Sequence, residues 1–376
     1  MGRHPAEEGP DGPRALCPAA EPCIPCPVLL LSTALLLALQ GDPTPARGDD
    51  ALELHGRLFL DLPALDGEQG PPRSLRLQSR LHLDERSSLR LQLEHGRGEL
   101  EVFEAYLGHR VPDGGEARLG HHRPPAGSES RTSLSVLPCP ERSAPARALI
   151  PGRATGASWS TRTPDGWSLG AFGGARRSFD PIGSERLVVG RRDWDLGLAR
   201  DGQGAHLGAW LMGWDGGEDG LRFDARPWGE SRERTVDTGA LAHARSVGAG
   251  LEWSALQPTW ILQAEAVSQR VEGAGLALGS TVTLVLPRGG LLRSWSVGRQ
   301  ALHYPDAVEP FASHEWVLRA SWLDLRELGG QRQAELSAGV NLYSSRRSRS
   351  MLHLQHTEVE GGEDLDILLL RVQAGF

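Results

Sequence analysis

The sequence predicts an all-β chain folded as a transmembrane antiparallel β-barrel, with sixteen strands as the preferred count and fourteen or eighteen as alternatives. Three observations predict it. Apolar and polar residues alternate with period two over long stretches of the chain. One short apolar run near the N-terminus has the form of a removable export segment. Aromatic residues mark the ends of apolar faces, the last of them the terminal Phe376.

The alternation is clearest in the first third. From Leu52 to Leu62 the even positions are Leu52, Leu54, Gly56, Leu58, Leu60 and Leu62, against Glu53, His55, Arg57, Phe59 and Asp61. Leu75, Leu77, Leu81 and Leu83 interleave with Arg76, Gln78, Arg80 and His82, and Leu89, Leu91 and Leu93 with Arg90, Gln92 and Glu94. In a strand such residues point to opposite faces, one oily and one polar. The pattern returns in Gln333 to Tyr343 and runs on to the C-terminus, with turns rich in Gly, Asp and Pro. Seventeen stretches qualify as strands. With both chain ends on one side of a membrane the number must be even, so one stretch within Ser184 to Trp214 is not a separate strand.

A soluble sandwich and a membrane barrel both use two-faced strands. Strand length separates them. An apolar face of five or six alternate positions spans ~11 residues, which at a tilt of ~40° covers the ~25 Å apolar band of an outer membrane. Sandwich strands average nearer ~5–6 residues. On His314 to Leu323 the oily face reads Trp316, Leu318, Ala320 and Trp322, although Val317 and Leu323 break the polarity of the other face. Trp316 and Trp322 stand ~20 Å apart along a strand, near the separation of two interfacial aromatic girdles. Trp260 opens a similar face with Leu262, Ala264 and Ala266. In the last strand Leu368, Leu370, Val372, Ala374 and Phe376 share one face, and a terminal aromatic there looks like the signal read by the bacterial outer-membrane assembly machinery.

Composition excludes other classes. The chain has 376 residues, 39% of them hydrophobic, and its 47 glycines and 26 prolines are too many for a helix bundle. All 40 basic residues are arginine, so any cationic site is built from planar, permanently charged guanidinium groups. A net charge of −8 without basic blocks makes nucleic acid a poor partner. Residues 1–46 read as a targeting segment whose apolar core, Pro27 to Leu39, is too short to span a bilayer as a helix; cleavage falls near Gly41 or Ala46. The stretch before that core lacks the usual positive flank, so either the start lies downstream or the signal is a poor one. Residues 47–376 form a single domain whose one cysteine, Cys139, leaves no internal disulfide.

Isolated motifs carry little. Val236-Asp237-Thr238-Gly239-Ala240 resembles an aspartic-protease string, but such a site needs a second aspartate and an apolar strand leading in. His121 and His122 are adjacent on a strand, point to opposite faces and have no third ligand in sight. Arg47-Gly48-Asp49 is a chance string. No metal, cofactor or catalytic residue is expected.

The ordered strings FEAYLGHR (103–110), ARLGHHRPP (117–125), PERSAPARALIPGRATG (140–156), RFDARPW (222–228), TVDTGALA (235–242), GLEWSALQPTWILQAEAV (250–267), GVNLYSS (339–345), MLHLQHTEV (351–359) and LRVQAGF (370–376) resemble the phosphate-selective porin O and P family of Gram-negative outer membranes. Two departures stand out: LVLPRGGLL occupies Leu284 to Leu292, where the family has an LTGE-like string, and the family's lysines are missing. The resemblance implies a water-filled barrel, commonly a homotrimer, that passes small phosphate-like anions by diffusion, sits among outer-membrane lipid and is inserted by the barrel-assembly machinery. It also implies that the long segment 123–152 folds inward as a constriction loop, bringing Arg131, Glu141, Arg142 and Arg147 toward the passage, with Arg153 at its end. From the alternation itself Arg57, Arg76, Arg80 and Arg90 face the lumen. They either bind anions or pair with acids such as Glu94 and Glu101. The alternatives to an anion porin are a general or weakly selective porin, a sugar-specific porin, an outer-membrane hydrolase and a non-conducting anchor.

Overall fold

The computed structural model describes residues 52–63, 73–96, 99–111, 115–150, 152–176, 193–202, 204–216, 221–225, 236–241, 243–296 and 301–375. The expected targeting segment 1–46 and the terminal Phe376 lie outside the described residues.

Sixteen antiparallel strands close into a barrel. In chain order they begin with β1 (Leu52–Pro63), β2 (Arg73–His82), β3 (Ser87–Gly96), β4 (Glu99–Arg110) and β5 (Glu116–His122). Then come β6 (Ala154–Arg162), β7 (Trp167–Arg176), β8 (Asp193–Gly202) and β9 (Ala205–Asp215). A two-stranded hairpin follows, β10 (Asp224–Ala225) with β11 (Val236–Asp237), before β12 (Arg245–Gln257), β13 (Trp260–Val271) and β14 (Gly275–Arg288). A second hairpin, β15 (Leu292–Ser296) with β16 (Ala301–Ala307), precedes β17 (His314–Asp324), β18 (Arg332–Tyr343), β19 (Arg349–Val359) and β20 (Leu365–Gly375). Each barrel strand pairs with the next one in the wall, and β1 pairs with β20 from Arg57↔Gly375 to Pro63↔Leu369, which leaves no free edge. The two hairpins form sheets of their own and are not strands of the wall, so the even count of sixteen holds. Strands β8 and β9 are separate wall strands within 193–215.

The alternation places the oily face outward. Leu54, Leu119, Leu251, Leu318, Leu336 and Leu354 are all exposed on the outer surface, Leu54 by 70%. Such a continuous apolar exterior is what lipid, not water, would cover. Trp316 is exposed by 52% and Trp260 is also exposed, while Trp322 is half-buried.

The lumen is not a uniformly polar space. Residues 123–150, between β5 and β6, carry two short helices, α1 (Ser128–Arg131) and α2 (Ala144–Ala148), and lie against the inner wall. Ser143 caps α2 by accepting from the Ala146 N–H at 3.4 Å, and Pro145 starts the turn. Buried Ala144, Ala146, Ala148, Leu149 and Ile150 pack with Trp210, Met212, Val267, Val271, Ala277 and Leu323 from the wall, with Val236 of the first hairpin and with Phe223 beside it. The hydrophobic core therefore sits inside the barrel. Val317 and Leu323, the residues that break the alternation of β17, point inward because the inserted chain is there to receive them: Val317 joins Cys139, Ile261, Val285 and Leu302, and Leu323 joins the larger cluster.

Two glycines make the close approach. A Cβ on Gly279 of β14 would lie 2.6 Å from Pro145 Cβ of α2, and one on Gly250 of β12 would lie 2.1 Å from the Trp210 ring. No side chain fits at either position without moving its neighbour. The segment 289–313 enters from the barrel end that carries the start of β1 and the finish of β20, opposite to the entry of 123–150. Its Arg293 donates to Glu315 at 2.7 and 2.8 Å and to the Val136 carbonyl at 2.9 Å, so the two insertions meet.

Candidate functional site

A cavity of about 500 Å³ remains beside the inserted chain, bounded mainly by β1 to β7 and the segment 123–136. Among the described residues ten arginines border it against two glutamates. Six are residues that the alternation or the resemblance marks: Arg57, Arg76, Arg80, Arg90, Arg131 and Arg153. Four more, Arg118, Arg123, Arg162 and Arg347, are missed by sequence reasoning, although Arg118 lies on the same strand face as Glu116 and carries a readable signal.

Expectation and structure part at Arg142 and Arg147, which do not border the cavity. Arg142 donates to the carbonyls of Glu129, Ser130 and Thr132 at 3.2, 3.4 and 2.8 Å. Arg147 donates to the Arg142 carbonyl and to Glu335 Oε1 of β18 at 2.5 Å. An inserted chain without a regular ladder leaves its carbonyls unmet, and these guanidinium groups meet them. They fasten the loop instead of facing the passage.

The wall uses the same device. Arg349 donates to the Leu137 carbonyl at 2.6 Å, Asn341 to Pro138 at 2.8 Å and Gln373 to Ser135 at 2.9 Å. Arg319 donates to the Glu141 carbonyl at 2.5 Å, and Arg371 to the Pro140 carbonyl and to Glu141 Oε1 at 2.8 Å. Five wall groups thus hold the backbone carbonyls of five loop residues, an anchoring that no local pattern in 123–152 announces.

Within the cavity, cations outnumber their counter-charges. Arg76 pairs with Glu94 at 2.5 Å, one of the acids expected to pair with lumen arginines, and Arg131 with Glu252. Arg57 donates to Ser133 and Ser135 hydroxyls at 3.1 and 2.7 Å. Glu104 of β4 is shared by three guanidinium groups: Arg90 at 3.2 Å, Arg153 at 3.3 Å and Arg123 at 3.8 Å. Phe103 beside it lies under two cations, Arg76 at 4.0 Å and Arg153 at 3.4 Å from the ring centroid, which spreads charge over an aromatic face. Burial pushes Arg123 well below its ordinary value, and Arg153 and Arg142 nearby push the same way. Burial likewise pushes Arg153 down to about 9, against the pull of Glu104, so it still carries its charge at neutral pH.

The remaining motifs resolve simply. His122 accepts or donates to Ser158 at 2.7 Å and packs between the Tyr106 and Phe172 rings at 5.6 Å from each. His121 bonds Thr155 at 3.1 Å. The described residues hold no group of three metal-ligating side chains. Asp237 of the protease-like string is bound by Arg222 at 2.9 Å and takes the Gly239 N–H at 2.9 Å, and Asp224 opposite it in the hairpin is exposed. An ion-paired, half-buried carboxylate beside an exposed one is not a proton-sharing catalytic pair.

A closed sixteen-stranded barrel with an oily exterior, an inserted loop and a charged lumen defines an outer-membrane porin. Residues 73–282 match the phosphate-selective porin O and P family, and the chain belongs to it. No curated protein matches the sequence. Among solved structures it is similar to OmpT (in-vitro folded), an outer membrane protein of Vibrio cholerae, with a TM-score of 0.55 at 8% identity over 89% of this chain and 100% of that one. It is similar to Salmonella typhi OmpF in complex with daunomycin, with a TM-score of 0.55 at 13% identity over 88% of this chain and 99% of that one. It is also similar to an anion-selective porin from Comamonas acidovorans, with a TM-score of 0.52 at 13% identity over 86% and 99%. At these identities the likeness concerns the fold. The chain is a porin of the bacterial outer membrane.

Proposed function

We propose that this porin passes small anions of the phosphate type by passive diffusion through the arginine-bordered cavity. One observation carries the reading: among the described residues, ten arginines against two glutamates around a space of about 500 Å³. Fixed guanidinium charge in a narrow, partly dehydrated passage attracts anions more strongly than in bulk water, and the planar forks match phosphate and carboxylate oxygens. The shared Glu104 leaves the Arg90, Arg123 and Arg153 cluster with an excess of positive charge that a permeating anion would neutralise. The segment 123–152 is the constriction loop in this reading, and Trp260, Trp316, Trp322 and Phe376 are the interfacial aromatics. A homotrimer fits the fold, since one OmpT structure of similar fold is described as a trimer form. Residues 1–46 would be removed on export and Phe376 read by the assembly machinery.

Weakly selective, general passage is the second reading. It is favoured by the pairs Arg76–Glu94 and Arg131–Glu252, which cancel part of the lumen charge. Reversal potentials of the purified protein in a planar bilayer under a salt gradient decide between them. Anion selectivity that falls in Arg90→Gln and Arg153→Gln supports the first reading. Cation selectivity, or selectivity indifferent to both substitutions, refutes it.

A further inference from the structure

Under the first helix of the inserted segment two glutamates face each other. Glu252 of β12 and Glu265 of β13 are direct cross-strand partners on the inner face of the wall. Both are buried, with 2% and 6% exposure. Residues so paired have Cβ atoms about 5 Å apart, and two carboxylates on neighbouring strands of one face, out of water, repel each other against both ionising.

Each has one oxygen engaged and one without a partner. Glu252 Oε1 takes His206 Nε2 of β9 at 2.8 Å and the Arg131 guanidinium of α1, while its Oε2 has none. Glu265 Oε2 accepts from the Ser128 hydroxyl at 3.0 Å and the Glu129 N–H at 3.2 Å, both in α1. Its Oε1 has no partner and abuts the corner made by Gly127, where an added Cβ would lie 2.8 Å from it. The charges around the pair are unevenly placed. Arg131 and His206 lean on Glu252. Glu265 is faced by Glu252 and by Glu129 of α1, which is itself 3.4 Å from Arg319 of β17. On its other flank β14 offers the uncharged Thr281. Positive charge thus serves one carboxylate, and the other meets negative neighbours and an apolar corner.

We propose that Glu252 and Glu265 hold one proton between them, seated on Glu265, and that this proton fastens α1 to the barrel wall as a pH-sensitive latch. A neutral Glu265 keeps both bonds from α1, and its O–H is the donor that the two unpartnered oxygens lack. Ionisation removes that donor and sets a second negative charge against Glu252 and Glu129. With the segment unseated, Glu265 is an ordinary solvated carboxyl, so the proton is taken up when α1 docks. Docking is therefore favoured at low pH and weakens as pH rises through the titration of the pair. Arg131 and Pro125 border the cavity, so the passage changes with the seating of the segment.

The test uses the full-length porin in detergent. Infrared difference spectra recorded between about pH 5 and about pH 9 read the carbonyl stretch of protonated carboxyl groups, which fall in model compounds near about pH 4. Wild type should keep one such band at neutral pH, and Glu265→Gln should lose it, because the amide copies the neutral carboxyl as acceptor but carries no acid proton. His206→Gln should retain the band, which separates the pair from a titrating histidine. In parallel, single-channel current of wild type should grow noisier as pH rises, and that dependence should vanish in Glu265→Gln. A folded wild type without the band, the same band in Glu265→Gln, or identical pH dependence in both proteins overturns the latch. If Glu265→Gln does not fold, Glu252→Gln serves instead: with its repelling neighbour neutral, Glu265 ionises at lower pH and the band disappears earlier. An unshifted band refutes the shared proton. The infrared readout does not depend on which solute the porin passes.

Discussion

Replacing Glu335 with alanine should release α2 from the wall. The Glu335 carboxylate, with a side chain 1% exposed, accepts from Arg147 at 2.5 Å, from the Ala144 N–H at the start of α2 at 3.0 Å, from Ser321 Oγ at 2.7 Å and from Gln333 at 2.9 Å. Its removal leaves the Arg147 guanidinium, itself only 18% exposed, without its carboxylate. Breaking a buried pair from one side costs about 3–5 kcal/mol, and the stranded Ala144 N–H adds about 1–3 kcal/mol where water cannot reach it. Most of that cost falls on the docking of residues 143–150, because the backbone ladder between β17 and β18, from His314↔Leu342 to Asp324↔Arg332, does not use the carboxylate. The expected outcome is a barrel that still assembles but carries a displaced insertion, seen as larger, noisier single-channel current and as faster protease cleavage within 123–152. The double variant Arg147→Met with Glu335→Leu removes both charges together and should recover most of the loss. Wild-type current and protease resistance in Glu335→Ala would refute the reasoning. So would a double variant as impaired as the sum of the two single ones.

Three further outcomes follow from the same geometry. Leu318→Arg, near the middle of the outward face of β17, should cost about 2–4 kcal/mol of barrel stability, whereas Trp316→Arg near its edge should cost about 0–1 kcal/mol, read by denaturant unfolding in lipid vesicles; equal costs would place the membrane elsewhere. Burial pushes the Cys139 thiol up to about 11, so at pH 8 roughly one molecule in a thousand is thiolate and a thiol reagent should label it only after unfolding; prompt labelling of the folded porin would show the insertion to be unseated. Gly250→Ala sets a Cβ against the Trp210 ring and should lower the unfolding midpoint by an amount equivalent to about 1–3 kcal/mol, relieved in part by Trp210→Phe.

Much of the wall was legible in the sequence because it is local. A side-chain period of two reports the face of each strand without reference to any other strand, so Leu54, Leu318 and Leu368 could be placed on an oily face and Arg57, Arg76 and Arg90 on a polar one from a few residues either side. Parity of membrane crossings then limited the strand count, and the exceptional length of 123–152 singled out the inserted segment. What local pattern could not reach is which arginines border the cavity. Arg142 and Arg147 resemble Arg131 and Arg153 in the sequence, yet only the latter two border the cavity; the first two are turned to loop carbonyls and to Glu335, which lies 188 residues beyond Arg147. Glu104 gathers Arg90, Arg123 and Arg153 from three separate stretches. The apolar residues that broke the alternation of β17, Val317 and Leu323, read as imperfections until the insertion supplied their partners. Strand faces follow from backbone stereochemistry that each residue carries with it. Pairing and burial inside the barrel follow from which distant segments fill the same space, and only the tertiary structure decides that.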